Sequence, residues 1–141
     1  MAKSIKFKNN IYLDSSGVIH NKVKLTEYLG KIIESGYENG IYWTKYDTGK
    51  LIQTFNQQIS VDSTRSSGGI SYFSGSTSVN LPIAFKDNSY RAFSNIILAN
   101  MNYFANSYVA PNGVQSVVVS YATTEENSVR IIQVALIGEW K

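Results

Sequence analysis

Ile41-Tyr42-Trp43-Thr44-Lys45-Tyr46, then Asp47-Thr48-Gly49-Lys50, then Leu51-Ile52-Gln53-Thr54-Phe55 is the stretch on which the fold turns. Two runs rich in β-branched and aromatic residues flank a short cluster of turn formers, which predicts a β-hairpin. The residues that follow it have the same texture. Residues 93–99, 114–122 and 129–137 are β-branched runs separated by turn signals. Residues 79–85 read as a strand that Pro82 confines to an edge or a bulge. Residues 62–78, rich in Ser, Thr and Gly, read as a long loop, or as two loops around a short edge strand at 70–73. Many short strands with polar loops predict an antiparallel β-sandwich or barrel over residues 37–141. Alternation selects Ile41, Trp43, Leu51, Ile52, Phe85, Phe93, Ile97, Val117, Val119, Ile131 and Val134 as its core.

Toward the N-terminus the texture changes. Ile5-Lys6-Phe7, Ile11-Tyr12-Leu13 and Val18-Ile19 are apolar runs around Asp14-Ser15-Ser16-Gly17, the pattern of a short hairpin. Asn21 then suits a helix N-cap, and Leu25, Tyr28, Leu29, Ile32 and Ile33 make one apolar stripe at helical spacing. Gly36 would stop that helix. Residues 1–36 are therefore expected to form an attachment or trimerisation segment of hairpin plus one short helix. A helix so short needs a partner surface, either its own domain or copies of itself.

Composition narrows the function. Charged residues are only 16% of the 141-residue protein, and the net charge is +3. A polar but weakly charged surface suits a protein that assembles with copies of itself. No run of cations interleaves with aromatics, so no nucleic-acid partner is expected. No stretch approaches the ~20 apolar residues of a membrane span, so no membrane insertion is expected. The first ten residues lack the apolar core of a signal peptide, which predicts synthesis in a cytoplasm.

Catalysis finds little footing. The sequence has one His and no Cys, so a nucleophile–base pair would have to use His20, far in sequence from the candidate loops. Its acids are scattered, and the adjacent pair Glu125-Glu126 reads as a solvated turn, not as opposed carboxylates. Gly68-Gly69 lacks the Lys and helix of a phosphate loop. A threefold axis that gathered three copies of His20 is the one arrangement in which a metal would be imaginable. No enzyme, cofactor or metal site is expected.

Three motifs carry a likeness. Residues 42–53, the strand Leu81-Pro82-Ile83-Ala84-Phe85 and the ending Ile137-Gly138-Glu139-Trp140 resemble the C-terminal receptor-binding heads of phage and prophage tail fibres. Residues 4–22 resemble the start of small tail and baseplate proteins from phages of Gram-positive hosts. Phe55 departs from the pattern, because many members carry Gly or Trp-Gly after the matching strand. The resemblance implies a lectin-like β-sandwich, a parallel homotrimer and a virion location. It also implies a host cell-surface glycan or cell-wall polymer as ligand, with other tail or baseplate proteins as neighbours. A purely structural hub or plug without a ligand is the competing reading.

A neutral sugar asks for an aromatic face beside amides, guanidinium or hydroxyls. Two loop stretches offer both. Residues 102–113 supply the first choice, Tyr103, Asn106, Tyr108 and Asn112. Residues 62–78 supply the second, Arg65 and Tyr72. The plainer reading of any one of these rings is a hydrophobic plug or a contact between copies, and for Trp43 and Trp140 core or interface is the better reading.

Overall fold

The computed structural model describes residues 5–7, 11–13, 19–21, 29–61, 63–97, 105–125 and 128–141. Twelve strands run through them: β1 (Ile5–Phe7), β2 (Ile11–Leu13), β3 (Ile19–Asn21), β4 (Ile32–Glu38), β5 (Ile41–Tyr46), β6 (Lys50–Ser60), β7 (Ser63–Ser67), β8 (Ile70–Asn80), β9 (Arg91–Ile97), β10 (Ala105–Pro111), β11 (Ser116–Thr123) and β12 (Val129–Glu139). β1, β2 and β3 pair in order as a small antiparallel sheet. The rest form a five-stranded sheet, β4-β5-β6-β12-β9, and a four-stranded sheet, β10-β11-β8-β7, both antiparallel.

The hairpin of β5 and β6 forms as its residues predict, with Thr44 opposite Ile52 and Ile41 opposite Phe55. Strict alternation on β6 and β12 then sends Leu51, Phe55 and Ile59, with Ile132, Val134 and Leu136, to one face. Val109 on β10 and Val117, Val119 and Tyr121 on β11 meet them from the second sheet. Two sheets burying their inner faces against each other make the sandwich. Each fully buried Val, Leu or Ile contributes roughly 1.5–3 kcal/mol relative to an exposed one. Trp43 and Trp140 are half-buried at the rim of this core, with the Lys45 ammonium 5.3 Å from one ring and 5.0 Å from the other. Glu34 pairs with the same ammonium at 2.8 Å.

Several expectations are corrected. The helix expected to end at Gly36 is a strand from Ile32 to Glu38, and Gly36 sits in the middle of that strand beneath the Trp43 ring. The residues just after it decide this. Asn39 and Gly40 have φ of 52° and 83°, the conformation of a two-residue hairpin turn, and that turn requires a strand on either side. The tertiary pairing with β5 outweighs the 3.6-residue periodicity. β4 also runs through residue 36, where the boundary between the two segments was expected. The earlier part of the expected helix, residues 22–28, lies outside the described residues.

Residues 62–78 are likewise not a loop: β7 and β8 form a hairpin around Gly68-Gly69. Beyond Asn80 the expected strand through Pro82 is irregular, because proline offers no ladder donor. Residues 81–90 instead close one end of the sandwich. There Leu81 N–H donates to the Gln115 carbonyl at 2.9 Å and Phe85 N–H to that of Val114 at 2.8 Å. The buried Gln53 carboxamide donates to the Ile83 carbonyl at 2.9 Å. Phe85 and Tyr90 stack with centroids 4.1 Å apart, and the Tyr90 hydroxyl donates toward the carbonyls of Ser116 and Gly113. In the expected core, Phe93, Ile97 and Ile131 prove exposed and Ile52 half-buried. The apolar pair Ile131-Ile132 leaves the phase of β12 open in the sequence, and packing puts Ile132 inside.

Candidate functional site

The stretch 102–113, expected to be a loop, contains β10, whose residues alternate in burial. Ala105, Ser107 and Val109 turn inward, where Ser107 and Ser94 hydroxyls lie 2.9 Å apart and join the two sheets. Asn106 and Tyr108 therefore face out, and Tyr108 is 66% exposed. Small inward residues make this strand, and the polar Asn106 and Tyr108 that suggested a loop belong to its solvent side.

Register carries the site across the sheet. Asn106 stands opposite Ala122, Ala122 opposite Ser74, and Ser74 opposite Ser63. In the next row Tyr108, Ser120 and Ser76 are cross-strand neighbours. Ser63, Ser74, Ser76, Ser120, Asn106, Tyr108 and Arg65 line one open depression of about 390 Å³. Its floor is serine hydroxyls. Arg65 stands at the β7 rim and Tyr108 at the β10 rim. The Ser63 hydroxyl lies 3.0 Å from both the carbonyl and the hydroxyl of Ser74, so part of the floor is already oriented. Arg65 makes no ion pair among the described residues.

Of the six residues singled out in the sequence, Arg65, Asn106 and Tyr108 meet here. Tyr72 pairs with Arg65 across β7 and β8 but does not line the depression. Asn112 lies apart, in the turn between β10 and β11. Its N–H donates to the Ser116 carbonyl, and its own carbonyl accepts the Ser116 hydroxyl at 2.7 Å. Tyr103 lies outside the described residues. The four floor serines were not foreseen. For Ser74 and Ser76 the signal is the alternation of serines on β8, visible only once that segment is known to be a strand; Ser63 and Ser120 join them through the pairing of β7 and β11 with β8.

The depression offers hydroxyls, a carboxamide, a phenol ring and a guanidinium. These groups can bind and orient a polar ligand, and among the described residues no carboxylate, imidazole or thiol lines the depression. Among the described residues no three His, Asp or Glu side chains gather where a metal would sit. A second, larger depression of about 760 Å³ lies on the outer face of the five-stranded sheet, between Tyr37 and Tyr42 on one side and Phe93 on the other. In comparisons with known proteins the sequence matches no family model and no curated protein, and the fold matches no solved structure.

Proposed function

We propose that this protein is the receptor-binding head of a phage or prophage tail fibre. It is a non-catalytic homotrimer that attaches the virion to a host cell-surface glycan or cell-wall polymer. The observation that carries the reading is the meeting of Arg65 with Asn106 and Tyr108 across a floor of serines. Arg65 lies some 40 positions from Asn106 and Tyr108 in the sequence, and their side chains are of the kinds that a neutral sugar asks for. The exposed Tyr108 ring offers a face for the apolar side of a pyranose. Arg65 and the Asn106 amide donate to ring and hydroxyl oxygens, and the serines both donate and accept. Each such contact nets only about 1 kcal/mol, so one site binds weakly and several copies on one fibre bind by avidity.

The test is attachment of purified protein to host cells, comparing wild type with the double variant Arg65→Ala/Tyr108→Ala. Both side chains are exposed, so the variant should keep wild-type stability while losing attachment at least tenfold. Normal attachment by the folded variant overturns the site. If wild type itself shows no attachment and no binding to a glycan array, the structural hub or plug is the better reading.

A further inference from the structure

The sheet that carries the serine-floored depression is almost without charge. Its strands β7, β8, β10 and β11 hold a single charged residue, Arg65. The other sheet carries both signs and pairs them, Lys45 with Glu34 and Lys50 with Glu139. Arg65 has no such partner among the described residues, although it stands exposed at the rim of a polar depression. Ser63 and Ser74 hydroxyls satisfy one another on the floor. Among the described residues, the side chains of Arg65, Ser76, Ser120, Asn106 and Tyr108 donate no hydrogen bond within the protein and accept none. These free groups are lopsided. A guanidinium brings five N–H donors and a carboxamide two, while hydroxyls go either way. The Asn106 carbonyl is the one lining side-chain group that only accepts.

We infer that the ligand of this depression is anionic: a saccharide chain that sets a sugar ring on Tyr108 and a carboxylate or phosphodiester oxyanion on Arg65. The inference rests on the proposed glycan site and adds the charge that the ligand carries. The donor count decides it. A neutral sugar hydroxyl donates as well as accepts, and this site leaves much of that donation unmet. An oxyanion only accepts, and a guanidinium fork meets two of its oxygens at once. Spacing gives the ligand its length. β7 and β10 are three strand spacings apart in their sheet, about 14 Å. The ring platform and the cation therefore stand further apart than one sugar ring spans, and the serine hydroxyls between them face the link.

Attachment of the purified full-length protein to host cells tests it, at ~50 mM and ~500 mM NaCl, with Arg65→Lys, Arg65→Gln and Arg91→Gln beside wild type. Arg91 is an exposed cation on the other sheet, so its variant removes the same charge away from the depression. Wild type should attach several-fold less at the higher salt. At low salt Arg65→Gln, which keeps N–H donors but no charge, should lose attachment about tenfold or more. Arg65→Lys should retain part of it and Arg91→Gln all of it. If Arg65→Gln attaches as well as Arg65→Lys and wild type is indifferent to salt, the anion is overturned while the glycan site stands. Equal losses in Arg65→Gln and Arg91→Gln also overturn it, because net charge alone would then explain them. A glycan array separates the sources of the charge. Binding to uronate-bearing oligosaccharides assigns a carboxylate, binding to phosphodiester-linked ones assigns a phosphate, and binding confined to neutral glycans overturns the inference. Normal attachment by Arg65→Ala/Tyr108→Ala is instead the failure of the proposed site, and the inference falls with it.

Discussion

The Ser60 carbonyl occupies the space that a Cβ on Gly75 would need. Gly75 lies opposite Tyr121 in the β8–β11 ladder, so this contact is where the end of β6 touches the inner face of the other sheet. Backbone of one sheet meets backbone of the other here, with no flexible side chain to yield. Gly75→Ala should therefore cost about 1–3 kcal/mol or more as overpacking, read as a lowered urea midpoint. Ser76→Ala, one position along on the solvent face, should stay within about 0.5 kcal/mol of wild type. Equal midpoints for the two variants would show that the sheets do not touch at residue 75.

Ile131 and Ile132 are chemically identical and adjacent, yet one is 42% exposed and the other fully buried. Ile132→Ala should cost ~2–5 kcal/mol in equilibrium unfolding, the transfer of the lost atoms plus a cavity. Ile131→Ala should cost the isolated fold much less. The reverse order would mean that β12 is paired one residue out of register with β6 and β9.

Glu139 accepts a hydrogen bond from the Lys50 ammonium at 2.9 Å, and that bond, with the attraction of the same charge, holds its carboxyl below the ordinary carboxylate range. A carboxyl depressed in the folded state contributes stability that is present above its ordinary value and lost as pH falls through the folded one. Stability should therefore decline on the acid side below about pH 4.5. Lys50→Ala should move the Glu139 midpoint, followed by carboxyl-carbon NMR, up toward the ordinary value. Asp87 should stay depressed in that variant, because its cause is the hydroxyl and backbone N–H of Ser89. An unmoved Glu139 midpoint would show that the Lys50 pair does not form in solution.

Strand identity was legible where one signal stood alone. The β5–β6 hairpin and the strands β9, β11 and β12 could be read from β-branched runs and the turn residues between them. Where two local signals competed, the reading failed. The helical stripe through Ile32 and Ile33 stood beside Asn39-Gly40, and the turn prevailed because its hairpin gains a whole strand of pairing with β5. The serine-rich β7 and β8 and the polar β10 looked like loops, since hydrophobicity marks only the buried side of a strand. Most of their polar residues lie on the solvent side.

The sequence by itself determined a β-rich protein, the central hairpin, and the kinds of functional group that a sugar site would use. Only the tertiary structure decided which of these residues share a site. Arg65 reaches Tyr108 through the ladder β7-β8-β11-β10, and Tyr42 faces Phe93 through β5-β6-β12-β9. Both juxtapositions depend on pairings between segments distant in the sequence. Local periodicity says which face each residue takes on its own strand, but it carries no record of the neighbouring strand. That is set when two inner faces bury against each other, and the choice of inner face fixes everything the outer faces display.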